Sequence, residues 1–437
     1  MKAFEKVVGY EDVKAELMQI CDSLKNSEKY KKLGISVPKG LMLYGKPGLG
    51  KTLMANVLIE ASGCRYFVCK KDKPNGEFVK YIKEIFDKAV EAAPSIVLLD
   101  DMDKFANEDE RHPNAEEYVT VQSCIDAAKS KDVFVIATVN HIDNLPKSLK
   151  RAGRFDICIH LKTPKGDDAL LITRHYLNKI DFQMDLDVNA VGKMMSGHSC
   201  AELECIINRA GLLACYENAE KITMKHFMRA YMKQINDVDV CSIDTLCNGS
   251  CVDLNNGRNR VAQTIYHEAG HLVAAEVLSN DSVKYACIYS ECGRIAGMTS
   301  VDIKDNDILE EWLVQVVIGL AGKATTEQKF GVFDIGCERD VNRAIKIVED
   351  LIKNKAMCGI MFCNGFEHRI SEKYSERLEI AVVSEVEKLY LKAKEVIAKN
   401  WEFVERIAKA MSEEVLLLGI DIQRIKSECD IVRVCVR

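Results

Sequence analysis

Long apolar runs are scarce in this chain, and so is any excess of positive charge. Runs such as Ser95 to Leu99 or Val415 to Leu418 fall far short of the roughly 20 residues that span a bilayer. The opening Met1-Lys2-Ala3-Phe4-Glu5 is no signal peptide. A soluble, cytoplasmic chain with no membrane segment of its own is therefore expected. A net charge of -6 offers no basic face for a polynucleotide, so nucleic acid is excluded as a partner. Repeats and low-complexity tracts are absent, which excludes solenoids and disordered arrays. No Cys-x-x-Cys pair occurs among the 18 cysteines, so they read as reduced core thiols (Cys64, Cys69, Cys158, Cys205, Cys287). Cys241, Cys247 and Cys251 form the one cysteine cluster spaced to hold a ligand.

What is present is an ordinary globular balance: 437 residues, 48% hydrophobic and 29% charged, enough for two or three domains. Helix-like periodicity from Phe4 to Leu33 is interrupted at Val37-Pro38-Lys39, and the apolar run Leu41-Met42-Leu43-Tyr44 predicts a strand. Behind it stands Gly45-Lys46-Pro47-Gly48-Leu49-Gly50-Lys51-Thr52 and then a helical stretch, the strand, glycine loop and helix order of a phosphate-binding loop. Gly45, Pro47, Gly48 and Gly50 shape a backbone whose N–H groups wrap phosphates at a helix start. Lys51 reaches the outer phosphates and the Thr52 hydroxyl suits magnesium. The buried-strand pattern Ser95 to Leu99 ends in Asp100-Asp101. Asp100 is suited to the magnesium shell, and Asp101 stands where a glutamate usually polarises the attacking water. Being one methylene shorter, Asp101 predicts slow hydrolysis. A further apolar run, Val133 to Ala137, leads to Asn140, from which a polar side chain can sense the outermost phosphate.

A second chemistry lies at His267-Glu268-Ala269-Gly270-His271. With Val261, Ile265, Leu272, Val273 and Val277 marking a helix, the two histidines share one face and can grip one zinc ion, with Glu268 beside them as general base. The third ligand must come from elsewhere. Asp340, in the first turn of an amphipathic run (Val341, Ala344, Ile345, Val348, Leu351, Ile352), is the first candidate, with Asp334 and Glu327 behind it. Lys284 to Ser300 reads as β-structure, with Gly293 and Gly297 at turns or close approaches.

On these motifs the chain resembles the FtsH family of ATP-dependent zinc metalloproteases from Phe4 to roughly Ile425. The resemblance implies an α/β AAA module, a parallel sheet with helices on both faces plus a helical lid, followed by a mainly α-helical zinc-peptidase domain. It implies boundaries at 1–165 (nucleotide-binding subdomain), 166–240 (lid, around Ser196-Gly197-His198-Ser199-Cys200-Ala201-Glu202-Leu203), 241–256 (linker) and 257–437 (peptidase). His198 belongs to the lid and is not a ligand. The cofactors implied are Zn2+, ATP and Mg2+. The assembly implied is a homo-hexamer in which Arg151 and Arg154 act as arginine fingers and Asn140 as sensor. Asp334-Ile335-Gly336-Cys337-Glu338-Arg339-Asp340 resembles the family's Ser-Thr-Gly-Ala-x-x-Asp and so implies Asp340 as third ligand. The strand around Gly297-Met298-Thr299-Ser300 would border the cleft. The activity implied is unfolding and degradation of unfolded or damaged proteins. Two departures keep other readings open: Asp101, and Pro74-Asn75-Gly76 where the family carries an aromatic pore residue. Phe78 or Tyr81 would have to substitute in a loop made basic by Lys70, Lys71 and Lys73. The alternatives are a non-proteolytic AAA remodeller and a peptidase governed by a slow nucleotide switch.

Overall fold

The computed structural model describes residues 2–106, 115–151, 153–181, 183–237, 253–291, 294–302, 308–331, 335–358, 372–414 and 416–436. Cys241, Cys247, Cys251 and Asp334 lie outside the described residues, as does most of the expected linker. The chain divides into two compact units, Met1–Ala230 and Tyr231–Arg437.

The first unit is built on a five-stranded sheet in the order β2-β3-β4-β1-β5, every pairing parallel. Its strands are β1 (Gly40–Tyr44), β2 (Arg65–Cys69), β3 (Ser95–Leu99), β4 (Val133–Val139) and β5 (Ile157–His160). β3 and β4 are buried along their whole length, which is why they read as continuous apolar runs without alternation. Parallel pairing gathers the C-terminal ends of all five strands at one edge, where the loops that bind ligands gather in such sheets. Helices α1 (Glu11–Lys25), α2 (Ser27–Lys32), α3 (Lys51–Ser62), α4 (Asn75–Glu91) and α5 (Glu116–Ala128) accompany the sheet. A core of Phe78, Phe86, Phe105, Tyr118 and Phe155 forms on the α4 and α5 side. The single helical periodicity expected from Phe4 to Leu33 is broken after a short 3-10 turn, Lys2–Lys6, and α1 begins only past Tyr10, whose φ is 55°.

Four helices follow, α6 (Gly166–Leu177), α7 (Val188–Met195), α8 (Cys200–Tyr216) and α9 (Met224–Asn236), with the short parallel pair β6 (Met184–Asp185) and β7 (Ile222–Thr223) between them. α8 opens on a reciprocal cap: the Ser199 hydroxyl accepts from the Glu202 N–H at 3.2 Å, and the Glu202 carboxylate accepts from the Ser199 N–H at 2.7 Å.

The second unit is mostly helical. It contains α10 (Arg260–Leu278), α11 (Leu309–Phe330), α12 (Glu338–Lys355), α13 (Glu372–Lys399), α14 (Trp401–Glu413) and α15 (Gly419–Ser427). A small antiparallel sheet, β8 (Val283–Glu291), β9 (Arg294–Val301) and β10 (Leu416–Leu418), runs in the order β10-β8-β9 and leaves β9 at the edge. α10 approaches α11 closely because Gly270 has no side chain: a Cβ there would lie 2.3 Å from the Thr325 hydroxyl and 2.7 Å from the Ala321 carbonyl. Below it Tyr266 stacks on Trp401, with ring centroids 6.2 Å apart, and meets Phe330 edge-on. Among the described residues no helix is long and apolar enough to cross a membrane.

Three expectations need correction. Cys158 and Cys205 are exposed because they fall on outward positions of β5 and α8, so they are not core thiols. Phe78 is fully buried and cannot grip a substrate, because Pro74-Asn75-Gly76 forms the start of α4 and turns Phe78 into the core. The lysines before it are tied down: Lys70 pairs with Asp100 at 2.7 Å, Lys71 with Glu117 at 3.3 Å, and Lys73 lies 4.2 Å over the Tyr81 ring. A free basic loop is not formed.

Both tryptophans, Trp312 and Trp401, lie in the second unit, so their fluorescence reports its unfolding alone. Gly270→Val should lower the midpoint of that transition in urea, by the about 1–3 kcal/mol typical of overpacking, and leave the first unit's transition by circular dichroism in place.

Candidate functional site

In the second unit α10 carries His267 and His271 one turn apart, and the first turn of α12 brings Asp340 to them. His271 Nε2 lies 3.0 Å from His267 Nε2, and Asp340 Oδ2 lies 3.2 Å from His267 Nε2 and 3.4 Å from His271 Nε2. Among the described residues this trio is the one His/Cys/Asp/Glu group with ligand atoms close enough to share an ion, all within 4.8 Å. The donor set and spacing suit zinc: ligands about 2.0–2.1 Å from a tetrahedral ion are separated by roughly 3.3 Å. The His271 Nδ1–H donates to the Ile318 carbonyl at 2.8 Å, which fixes the tautomer and leaves Nε2 as a lone-pair donor. His267 Nδ1 is buried without a hydrogen-bond partner among the described residues, so that ring is held by packing and by the contacts of its Nε2 with Asp340 and His271. Gly322 makes room for both imidazoles, since a Cβ there would come within 2.7 Å of His271 Nε2 and 2.9 Å of His267 Nδ1.

Glu268, next along the helix, faces β9. Its Oε2 accepts from the Thr299 hydroxyl at 2.6 Å, and a Cβ on Gly297 would lie 2.3 Å from Glu268 Cγ. Glycine at 297 is thus what lets the edge strand pass the acid. These residues line a cavity of about 770 Å³, the size of a small-ligand or peptide site. Burial disfavours charge on His271, but the hydrogen bond to Asp340 and the charges of Glu268 and Asp340 outweigh it and lift its pKa to about 9. Burial likewise works against the Asp340 carboxylate, yet the two imidazoles hold its pKa far below the usual range. Glu327, an alternative ligand from sequence, is engaged elsewhere, bonded to Tyr390, Lys323 and Lys394.

In the first unit the glycine loop joins β1 to α3. Gly45 (φ 146°), Gly48 (φ 77°) and Gly50 (φ 85°) adopt backbone that L side chains rarely take, with Pro47 between them. Lys51 is folded back, donating to the Gly45 and Lys46 carbonyls at 2.7 Å each. Asp100 Oδ1 accepts from the Thr52 and Thr138 hydroxyls at 2.9 and 2.8 Å, and Oδ2 pairs with Lys70. Burial raises the Asp100 pKa, but Lys70, Thr138 and Thr52 together bring it below the usual value. Asp101, at φ 54°, pairs with Lys104 at 2.8 Å and accepts from Asn140 Nδ2 at 3.1 Å. The structure therefore brings Thr52, Asp100, Asp101 and Asn140 into one polar chain at the strand ends.

Sequence reasoning missed several members. Asp103, 2% exposed, accepts from the backbone N–H groups of Asn140 and His141 at 3.0 and 3.2 Å and so fixes the end of β4. Thr138 bridges Asp100 and the Asp101 N–H. Its place two residues before Asn140 on a strand, and hence on the same face, was the available signal. Thr299 lies on the strand expected to border the cleft, but its bond to Glu268 was not foreseen, and Gly322 carried no signal; both are brought there by tertiary packing. Arg151 and Arg154 differ sharply. Arg154 grips Asp126 through two nitrogens, at 2.7 and 3.2 Å, and also donates to Gln122 and the Ser148 carbonyl. Arg151 is exposed and its guanidinium has no partner among the described residues.

Comparison with known proteins bears on both sites. The family model for the ATPase family associated with various cellular activities (AAA) matches residues 41–163, and the model for Peptidase family M41 matches residues 255–425. The chain thus carries an AAA ATPase domain and a Peptidase M41 domain, and FtsH proteins are similar to it over most of its length. It is 26% identical to the ATP-dependent zinc metalloprotease FtsH of Pelobacter propionicus, over 97% of this chain and 71% of the relative. It is 28% identical to FtsH 2 of Thermoanaerobacter sp. (94% and 80%) and 30% identical to FtsH of Mycoplasma genitalium (96% and 62%). For an FtsH-type chain the groups these two sites take are Zn2+ and Mg2+ with ATP.

In the metal-free chain a proton occupies His271 below about pH 9 and must leave when zinc enters. This proton stabilises the metal-free fold below an unfolded pKa of about 6.5, and that contribution is lost as pH rises through about 9. Apparent zinc affinity, measured by chelator competition, should therefore climb about tenfold per pH unit through neutrality and level off near pH 9.

Proposed function

We propose that the chain is an ATP-dependent zinc metalloprotease that degrades unfolded or damaged proteins, with ATP turnover in a homo-hexameric ring feeding a zinc peptidase site. The observation that supports this most directly is the convergence of His267, His271 and Asp340 beside Glu268 in an open cavity. His267, His271 and Asp340 would hold the metal, and zinc bound there would supply Lewis acidity toward a carbonyl and toward water. Glu268, oriented by Thr299, takes the proton from the attacking water and returns it to the leaving amine. An extended substrate pairs along the free edge of β9 through main-chain hydrogen bonds.

In the nucleotide unit Gly45, Pro47, Gly48, Gly50, Lys51 and Thr52 cradle the phosphates, Asp100 takes the magnesium shell, and Asp101 with Asn140 positions the attacking water. Arg151 is free to reach a neighbouring subunit's nucleotide, while Arg154 has first to leave Asp126 or acts by positioning the loop. The working division of the chain is 1–165, 166–240, 241–256 and 257–437, and its location is the cytoplasm. The remodeller reading is disfavoured by an intact donor set.

Casein digestion tests the proposal. Zinc-replete protein should cleave casein faster with ATP than with ADP, and Glu268→Gln should lose at least about 100-fold. Absence of cleavage in every condition would favour a remodeller, and equal rates with ATP and ADP a nucleotide switch.

A further inference from the structure

The wall of the peptidase cavity carries an uneven charge. Its lining includes Arg260 at the start of α10 and Arg339 and Arg343 one turn apart on α12. All three are exposed, and among the described residues none of their guanidinium groups forms a hydrogen bond or ion pair. Arg154, bound by Asp126, and Arg406, bound by Glu402 and Glu428, are by contrast satisfied within the fold. The acids on the same wall are Glu268, Glu338 and Asp340. Two of them are already committed, Asp340 to the imidazoles and Glu268 to Thr299. With zinc bound, its two positive charges offset those two carboxylates and the imidazoles are neutral. That leaves three guanidinium groups against Glu338 alone, a surplus of two positive charges in a protein whose net charge is -6.

Main-chain pairing along β9 carries no sequence information, so selectivity at this cleft has to come from side-chain contacts on its wall. We propose that Arg260, Arg339 and Arg343 are specificity-determining residues that select substrate segments bearing aspartate or glutamate beside the scissile bond. The inference rests on the protease reading above, since it concerns the same cleft. Arg339 and Arg343 flank Asp340 on one helix while Arg260 stands on another, so acidic side chains on either side of an extended segment meet a guanidinium fork suited to bidentate carboxylate recognition. The contacts are solvent-exposed, so their combined effect is about tenfold rather than thousands-fold, and salt screens it.

The experiment uses the full chain, zinc-loaded, as the Glu268→Gln form that binds without cutting. Three fluorescein-labelled peptides share one apolar centre flanked by glutamate, glutamine or lysine, and binding is read by fluorescence anisotropy. The glutamate peptide should bind about tenfold tighter than the lysine peptide at low salt, with the gap closing as salt is raised. Arg339→Glu combined with Arg343→Glu should reverse the order. Arg260→Gln, on a different helix from Asp340, should shrink the gap with zinc content unchanged by metal analysis. Equal binding of the three peptides, no binding of any, or a preference untouched by all these substitutions would overturn the proposal. Cleavage of the same peptides by the chain with Glu268 intact separates the two readings: a glutamate preference in binding with no cleavage of any peptide counts against the protease and not against the selecting wall.

Discussion

Two imidazole nitrogens 3.0 Å apart, with a carboxylate oxygen within 3.4 Å of both, cannot all keep their lone pairs to themselves in a buried place. Some positive charge has to sit among them, a proton or a metal. The second unit is arranged around that requirement. α10 supplies both rings from one face, α12 arrives with its first turn, and α11 passes close enough for the Ile318 carbonyl to fix one ring. The close passage depends on missing side chains at Gly270 and Gly322, and the edge strand reaches Glu268 because residue 297 is also glycine. The catalytic geometry is thus a packing solution, reached by removing side chains at three crossings.

The first unit solves a different problem with the same economy. A buried carboxylate at the end of β3 is costly unless donors surround it, and Thr52, Thr138 and Lys70 do so from three separate elements. Asp103 does the same for the backbone at the end of β4. Glycine loop, acid pair and Asn140 are therefore held in mutual register by polar contacts among strand ends, with the parallel sheet as the rigid base.

Legibility followed distance along the chain. The glycine loop, the two histidines of α10 and the β3 acids could be read because the residues grouped together are within eight positions of each other, on elements whose period is visible. Asp340 needed the amphipathic pattern of α12, and even then its meeting with the histidines is a fact of helix packing. Thr299, Gly322, Lys70 and Asp103 work through contacts between distant segments, which no local period encodes. Of the expected basic, aromatic-bearing loop around residues 70–81, Phe78 belongs to the core and Lys70 and Lys71 find partners, Asp100 and Glu117, that only the fold brings near, while Tyr81 stays partly exposed beneath Lys73. Cys158 and Cys205 were misread because apolar neighbours in sequence do not fix which side of a strand or helix a thiol faces.

The left-handed backbone at Asp101 offers a reason for the one unexpected acid in the nucleotide site. Two consecutive residues of an extended strand send their side chains to opposite faces. A single left-handed residue instead lets the neighbours serve different clients at one end of the sheet, Asp100 turning to Thr52 and Asp101 to Asn140. Among non-glycine residues, aspartate and asparagine are the ones that enter this conformation most readily, because a short polar side chain can bond locally. Where glutamate would gain reach, aspartate gains a handedness, and this corner of the nucleotide unit is shaped by that preference.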